Sequence, residues 1–168
     1  MNARKVKQAF LKMLPVTAVD RNNPISSGYI RTVIFSLSDS GKVRCDAEVQ
    51  NLNNPRDFVK VPCRHVHFKA DYSESAADAV PTDGKNEHAG LIRQAFMNGM
   101  PVVADVPGVT PVRCSYIISI VYTRGRRGNI ICSAVCKDAT CEDSTLQARI
   151  KYVYTEQEYA QKSIEKEH

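Results

Sequence analysis

Apolar and polar positions alternate with two different periods along this chain. Residues 3–14 place Val6, Ala9, Phe10 and Met13 on one helical face and stop before Pro15, which disfavours helix at the residue preceding it. Residues 29–37 are β-branched and aromatic, and Ser38-Asp39-Ser40-Gly41 makes a turn. Val43, Cys45, Ala47 and Val49 then alternate with Arg44, Asp46, Glu48 and Gln50, the pattern of a hairpin with one wet face. Asn51 to Pro55 is turn chemistry, and 57–69 reads as a further strand whose apolar parity changes near Pro62, which predicts a bulge or an edge position. Residues 70–84 have no apolar period and form a flexible acidic linker carrying Asp71, Glu74, Asp78 and Asp83. A second helix is expected over 86–99 with Gly99 as its stop. Strands follow at 101–105, 113–123, 129–137 and 146–154, joined by an Arg124–Gly128 turn and a 137–144 loop. Thr155 is placed to cap a charged C-terminal helix whose last residues, from Lys162, fray.

The chain also resembles itself. Val6-Lys7-Gln8-Ala9-Phe10-Leu11 aligns with Ile92-Arg93-Gln94-Ala95-Phe96-Met97, and Leu14-Pro15-Val16 with Met100-Pro101-Val102. One inserted residue later, Pro24, Tyr29, Ile30, Gly41, Cys45 and Ala47 fall on Pro111, Tyr116, Ile117, Gly128, Cys132 and Ala134. The expectation is therefore an α+β protein of two related helix-plus-antiparallel-strand halves, α-ββββ-α-ββββ-α, with an internal duplication. The first half spans 1–69, the linker 70–84 and the second half 85–168. In topology only, this order resembles the doubled ββββα units of Whirly and PUR-type folds, which implies single-strand nucleic-acid binding by analogy of fold.

Composition narrows the class. The 168 residues carry 23 Lys and Arg against 18 Asp and Glu, a net charge of +5 that suits an anionic partner. No run approaches the ~18 apolar residues of a membrane span, so no membrane partner is expected. The basic N-terminus lacks the apolar run of an export signal, so the six cysteines read as mostly reduced thiols of a cytoplasmic protein. Under hairpin pairing, Cys63 lies roughly opposite Cys45, which would let two sulfurs join His65 and His67 as metal ligands.

The sharpest chemical feature is Thr123-Arg124-Gly125-Arg126-Arg127-Gly128, three arginines on the tip of a predicted hairpin. Guanidinium forks match phosphate geometry, and glycines let the backbone come close to a partner. Arg31, Arg44, Arg149 and Lys151, all expected on strands, extend this into a nucleic-acid-binding set with Arg124, Arg126 and Arg127. Single strands also need aromatic platforms, for which Tyr29, Tyr116 and Tyr122 are the candidates.

Two metal readings are weaker. His65 and His67 would share one face of a strand, but no carboxylate completes the set. Cys132, Cys136 and Cys141, with Cys114 on the neighbouring strand, are spaced along a strand and not around a knuckle. Phosphate-binding glycine loops, nucleophile elbows and metalloprotease helices are missing from the sequence. The reading is a non-catalytic protein, without cofactor or metal, that contacts DNA or RNA phosphates. An acidic protein surface is the alternative partner, in an inhibitor or in a self-assembling, homo-oligomeric structural subunit of viral or phage type.

Overall fold

A computed structural model describes residues 2–69 and 87–167, so the expected 70–84 linker lies outside the described residues. Three helices and ten strands make this an α+β protein, and the strand pairs are antiparallel. Contacts divide the described chain into two compact units. Residues 2–69 and Tyr122–Ile130 form the first, and 87–121 with 131–167 the second.

In the first unit, helix α1 (Ala3–Lys12) starts where the Asn2 side chain accepts a hydrogen bond from the Lys5 amide at 3.0 Å. It ends at Met13, which takes the left-handed conformation at φ 51° and is half exposed, so it leaves the apolar face expected for it. Val6, Ala9 and Phe10 are fully buried, and α1 packs on strand β2. The strands β1 (Val16–Ala18), β2 (Ile25–Leu37), β3 (Val43–Asn51), β4 (Phe58–Pro62) and β5 (Val66–Phe68) lie in the order β5-β1-β2-β3-β4. Val33, Ala47, Val49, Val59 and Val61 supply the core beneath α1.

The parity change near Pro62 has a physical cause that differs from the expected bulge. A 3-10 turn at Cys63–His65 ends β4 and starts β5, so the chain leaves the β3 edge and returns to pair with β1. One backbone approach is tight enough to dictate a residue: a Cβ on Gly28 would sit 2.3 Å from the Gln50 carbonyl oxygen.

The second unit repeats the element order. Helix α2 (Glu87–Met97) precedes β6 (Val102–Ala104), β7 (Val112–Arg124), β8 (Ile130–Asp138), β9 (Thr145–Arg149), a 3-10 turn (Ile150–Tyr152) and β10 (Val153–Thr155), in the order β10-β6-β7-β8-β9. The bounds of β7, β8, β9, the 3-10 turn and β10 each lie 87 residues beyond those of β2, β3, β4, the first 3-10 turn and β5. Both helices α1 and α2 end alike. Leu14 N bonds Ala9 O at 3.0 Å and Met100 N bonds Ala95 O at 2.9 Å, with Gly99 at φ 62° where the first unit has Met13. As with 57–69, the strand expected over 146–154 is broken by its 3-10 turn.

Helix α3 (Glu156–Lys166) closes the second unit and stays helical through Lys166, beyond the expected fraying point. Thr155 caps it, with Glu158 completing a capping box. None of its side chains is fully buried, and it is held by polar contacts: His88 Nδ1 to Glu158 at 2.7 Å and Lys162 Nζ to Asp105 at 2.7 Å. No helix among the described residues is long and apolar enough to cross a membrane.

Candidate functional site

The β7–β8 tip belongs to the first unit. Gly125 N bonds Asn129 O at 2.8 Å and Gly128 N bonds Gly125 O at 3.0 Å, with Gly128 at φ 79°, which closes a tight turn. The three arginines expected to act together do not do so. Arg124 turns inward: its guanidinium donates to Gly128 O at 2.9 Å, to Phe10 O at 2.8 Å and to Leu11 O at 3.3 Å. The last two are carbonyls of the last turn of α1, where Phe10 O otherwise receives only a long 3.4 Å bond from the Met13 amide. Arg126 and Arg127 are exposed and have no side-chain partner among the described residues.

Pairing register lays out the sheet face of this unit that points away from the buried valines. Residues directly opposite one another share a face, so Tyr29, Gln50 and Phe58 form one row across β2, β3 and β4. Thr32, Glu48 and Lys60 form the next, Ile34, Asp46 and Pro62 a third, and Ser36 pairs with Arg44 toward the hairpin end. Arg31 is the extra residue where the β2–β3 register shifts between Ile30 and Thr32. It joins the first two rows, with Nε 3.0 Å from Glu48 Oε2 and its guanidinium 3.8 Å from the Phe58 ring centroid. Arg31 is thus already paired, whereas Arg44 is exposed and without a side-chain partner among the described residues.

A shallow cavity of about 160 Å³ opens at the end of the first row, lined by Tyr29, Gln50, Asn51, Leu52 and Pro55. Gln50 Nε2 donates to Pro55 O at 2.7 Å, which fixes its amide. Asp57 holds the turn before β4 by accepting from the Asn51 and Asn23 side chains, and these hydrogen bonds lower its pKa below the ordinary carboxylate value.

The remaining expected contacts lie in the second unit. Arg149 is exposed on β9, opposite Ser133. Lys151 sits in the 3-10 turn, so it does not continue the β9 alternation, and its ammonium lies 4.9 Å from the Tyr152 ring centroid. Of the aromatic candidates, Tyr122 is buried in the first unit, edge-on to Phe35 with centroids 6.0 Å apart. Tyr29 lines the cavity, and Tyr116 is exposed on β7. Phe58 was not among them, although its place two residues before Lys60 on an alternating strand marks it for the wet face.

The histidine and cysteine readings also change. His65 lies in the 3-10 turn and only His67 on β5, so the i, i+2 face-sharing does not arise. Cys45 and Cys63 are joined in a disulfide with Cα atoms 5.6 Å apart, which takes both out of the expected reduced set. Cys114 and Cys136 are buried thiols, and the Cys136 pKa is pushed up by its hydrogen bond to Cys114 and by burial. Cys141 is exposed on a loop. Among the described residues, no group of three or more His, Cys, Asp or Glu side chains is placed to hold a metal ion.

No protein-family model, curated protein or solved structure matches this chain. The resemblance to Whirly and PUR-type units rests on element order alone.

Proposed function

We propose that this protein is a non-catalytic nucleic-acid-binding protein that meets phosphates through the β7–β8 tip of its first unit. The observation that carries the reading is the division of labour among three neighbouring arginines. Arg124 ties the tip to the end of α1, and Arg126 and Arg127, held on that mount, are exposed with no side-chain partner among the described residues. A fixed mount lowers the entropy lost when a free guanidinium closes on a phosphate. The net charge of +5 favours the encounter, and exposed Arg44 adds a further cation on the same unit.

Assembly through open sheet edges is less well supported. The edge strand β4 spans five residues and carries Lys60 and Pro62, two devices that blunt edge pairing. The matching element bounds of the two units agree with an origin by duplication, in which one hairpin tip has gained arginines where the other has Ser38 to Gly41.

The reading is tested by titrating a labelled single strand of about 12 nucleotides, within the usual site size, with the protein and with Arg126→Glu/Arg127→Glu. The double variant should bind at least about tenfold more weakly, because each lost charge-assisted contact is worth more than an ordinary hydrogen bond. Equal binding by both proteins would remove the tip from the interface.

A further inference from the structure

We infer that the Tyr29–Gln50–Phe58 row and the cavity beside it form a seat for a nucleobase of a single strand, which rests on the nucleic-acid reading above and deepens it. Two aromatic rings stand at the ends of one cross-strand row, with a fixed glutamine amide between them. Neighbouring strands lie about 4.8 Å apart, so the two rings stand two strand spacings apart, on either side of Gln50. Phe58 is 44% exposed, and the Arg31 guanidinium stacked on it adds a cationic plane.

The cavity at the Tyr29 end holds about five waters' share of liquid volume, room for one flat ring. Tyr29, Pro55 and Leu52, a leucine that is 52% exposed, give it apolar walls. With one N–H of Gln50 Nε2 donated to Pro55 O, the amide keeps its second N–H and its oxygen, a donor and an acceptor for a base edge. Lys60 and Arg56 are exposed, Lys60 in the adjoining row and Arg56 next to Pro55 in sequence, where a backbone phosphate on either side of a seated base would meet them. An aromatic wall, an open cavity and flanking cations are together what a stacked base with its phosphates requires, and a duplex, whose bases are already stacked, does not offer one.

The test compares an ordinary single strand with an abasic strand of the same length and charge, both against the unaltered protein. The ordinary strand should bind about tenfold or more tightly, the scale of one stacked base, and 2-aminopurine in it should lose fluorescence on binding. Tyr29→Leu and Phe58→Leu, which keep apolar bulk, should erase that difference while leaving abasic binding unchanged. Equal binding of the two strands, with 2-aminopurine emission unchanged, would overturn the base seat and leave phosphate contact standing. Binding of neither strand would overturn the nucleic-acid reading and the seat with it.

Discussion

Arg124 Nη2 donates to the main-chain oxygen of Phe10 at 2.8 Å, and the same guanidinium lies 5.4 Å from the Phe10 ring centroid. One side chain thereby satisfies the carbonyl end of α1 and covers the helix's fully buried anchor. A cation here also faces the negative end of the helix dipole. Arg124→Ala should cost about 1–2 kcal/mol of stability, measured by urea denaturation. An unchanged midpoint would mean that the tip is not held by this contact.

Met13 makes a second local test. It occupies a left-handed position that glycine fills at the same point of the second unit, and its side chain is half exposed, so little packing is at stake. Met13→Gly should raise stability by about 0.5–1 kcal/mol, a gain of roughly 2 °C in Tm for a chain of this size. A lower Tm would show that the Met13 side chain contributes more than its conformation costs.

Much of this architecture is legible in the sequence. The helical face of Val6, Ala9 and Phe10, the Ser38–Gly41 turn, the β3 alternation and the Thr155 cap all follow from local periodicity and side-chain chemistry, which depend on near neighbours. The 3-10 turns at Cys63–His65 and Ile150–Tyr152 do not, because neither contains a Gly, Pro, Asn, Asp or Ser to mark a turn, and the break is set by which partner strand lies next. The site was half legible for the same reason. Basic character at 124–127 is local, but the inward turn of Arg124 depends on carbonyls more than a hundred residues away in sequence. Phe58 emerges as a partner of Arg31 only once three strands are in register.

The disulfide is a third test. Cys45 and Cys63, separated by 18 residues, tie β3 to the first 3-10 turn, while Cys132, 87 residues beyond Cys45, faces no cysteine at 150. For a loop of that length the cross-link is worth roughly 3 kcal/mol, so Cys45→Ser/Cys63→Ser should lower the denaturation midpoint accordingly. Alkylation of the denatured, unreduced protein should label four cysteines and spare Cys45 and Cys63. In the folded protein, Cys141 should react first, because Cys114 and Cys136 are buried. Six labelled thiols without reductant would contradict the cross-link.

His88 predicts a pH dependence. Its ring nitrogens face the Glu158 carboxylate at 2.7 Å and the Ile150 carbonyl at 3.0 Å, two acceptors that only the doubly protonated ring can serve. Burial works against that charge, but these hydrogen bonds and the charge of Glu158 outweigh it, so the pKa is raised above 6.5. The stabilisation is therefore complete below about pH 6.5, the unfolded value, and is lost as pH rises through the higher folded value. Unfolding of the wild-type protein should ease over that interval, and His88→Ala should flatten the change. A parallel profile for the variant would assign the dependence to another group.

The most direct test of the nucleic-acid account is the affinity of the unaltered protein for a single-stranded oligonucleotide between about 50 and about 200 mM salt. Log affinity should fall linearly with log salt, and the two phosphate contacts of Arg126 and Arg127 contribute about −1.4 to that slope on a single strand, to which Arg44, Arg56 and Lys60 add. In Arg126→Glu/Arg127→Glu the slope should become shallower by at least about 1.4. Absence of binding at the lowest salt, or a slope near zero in the unaltered protein, would contradict the account.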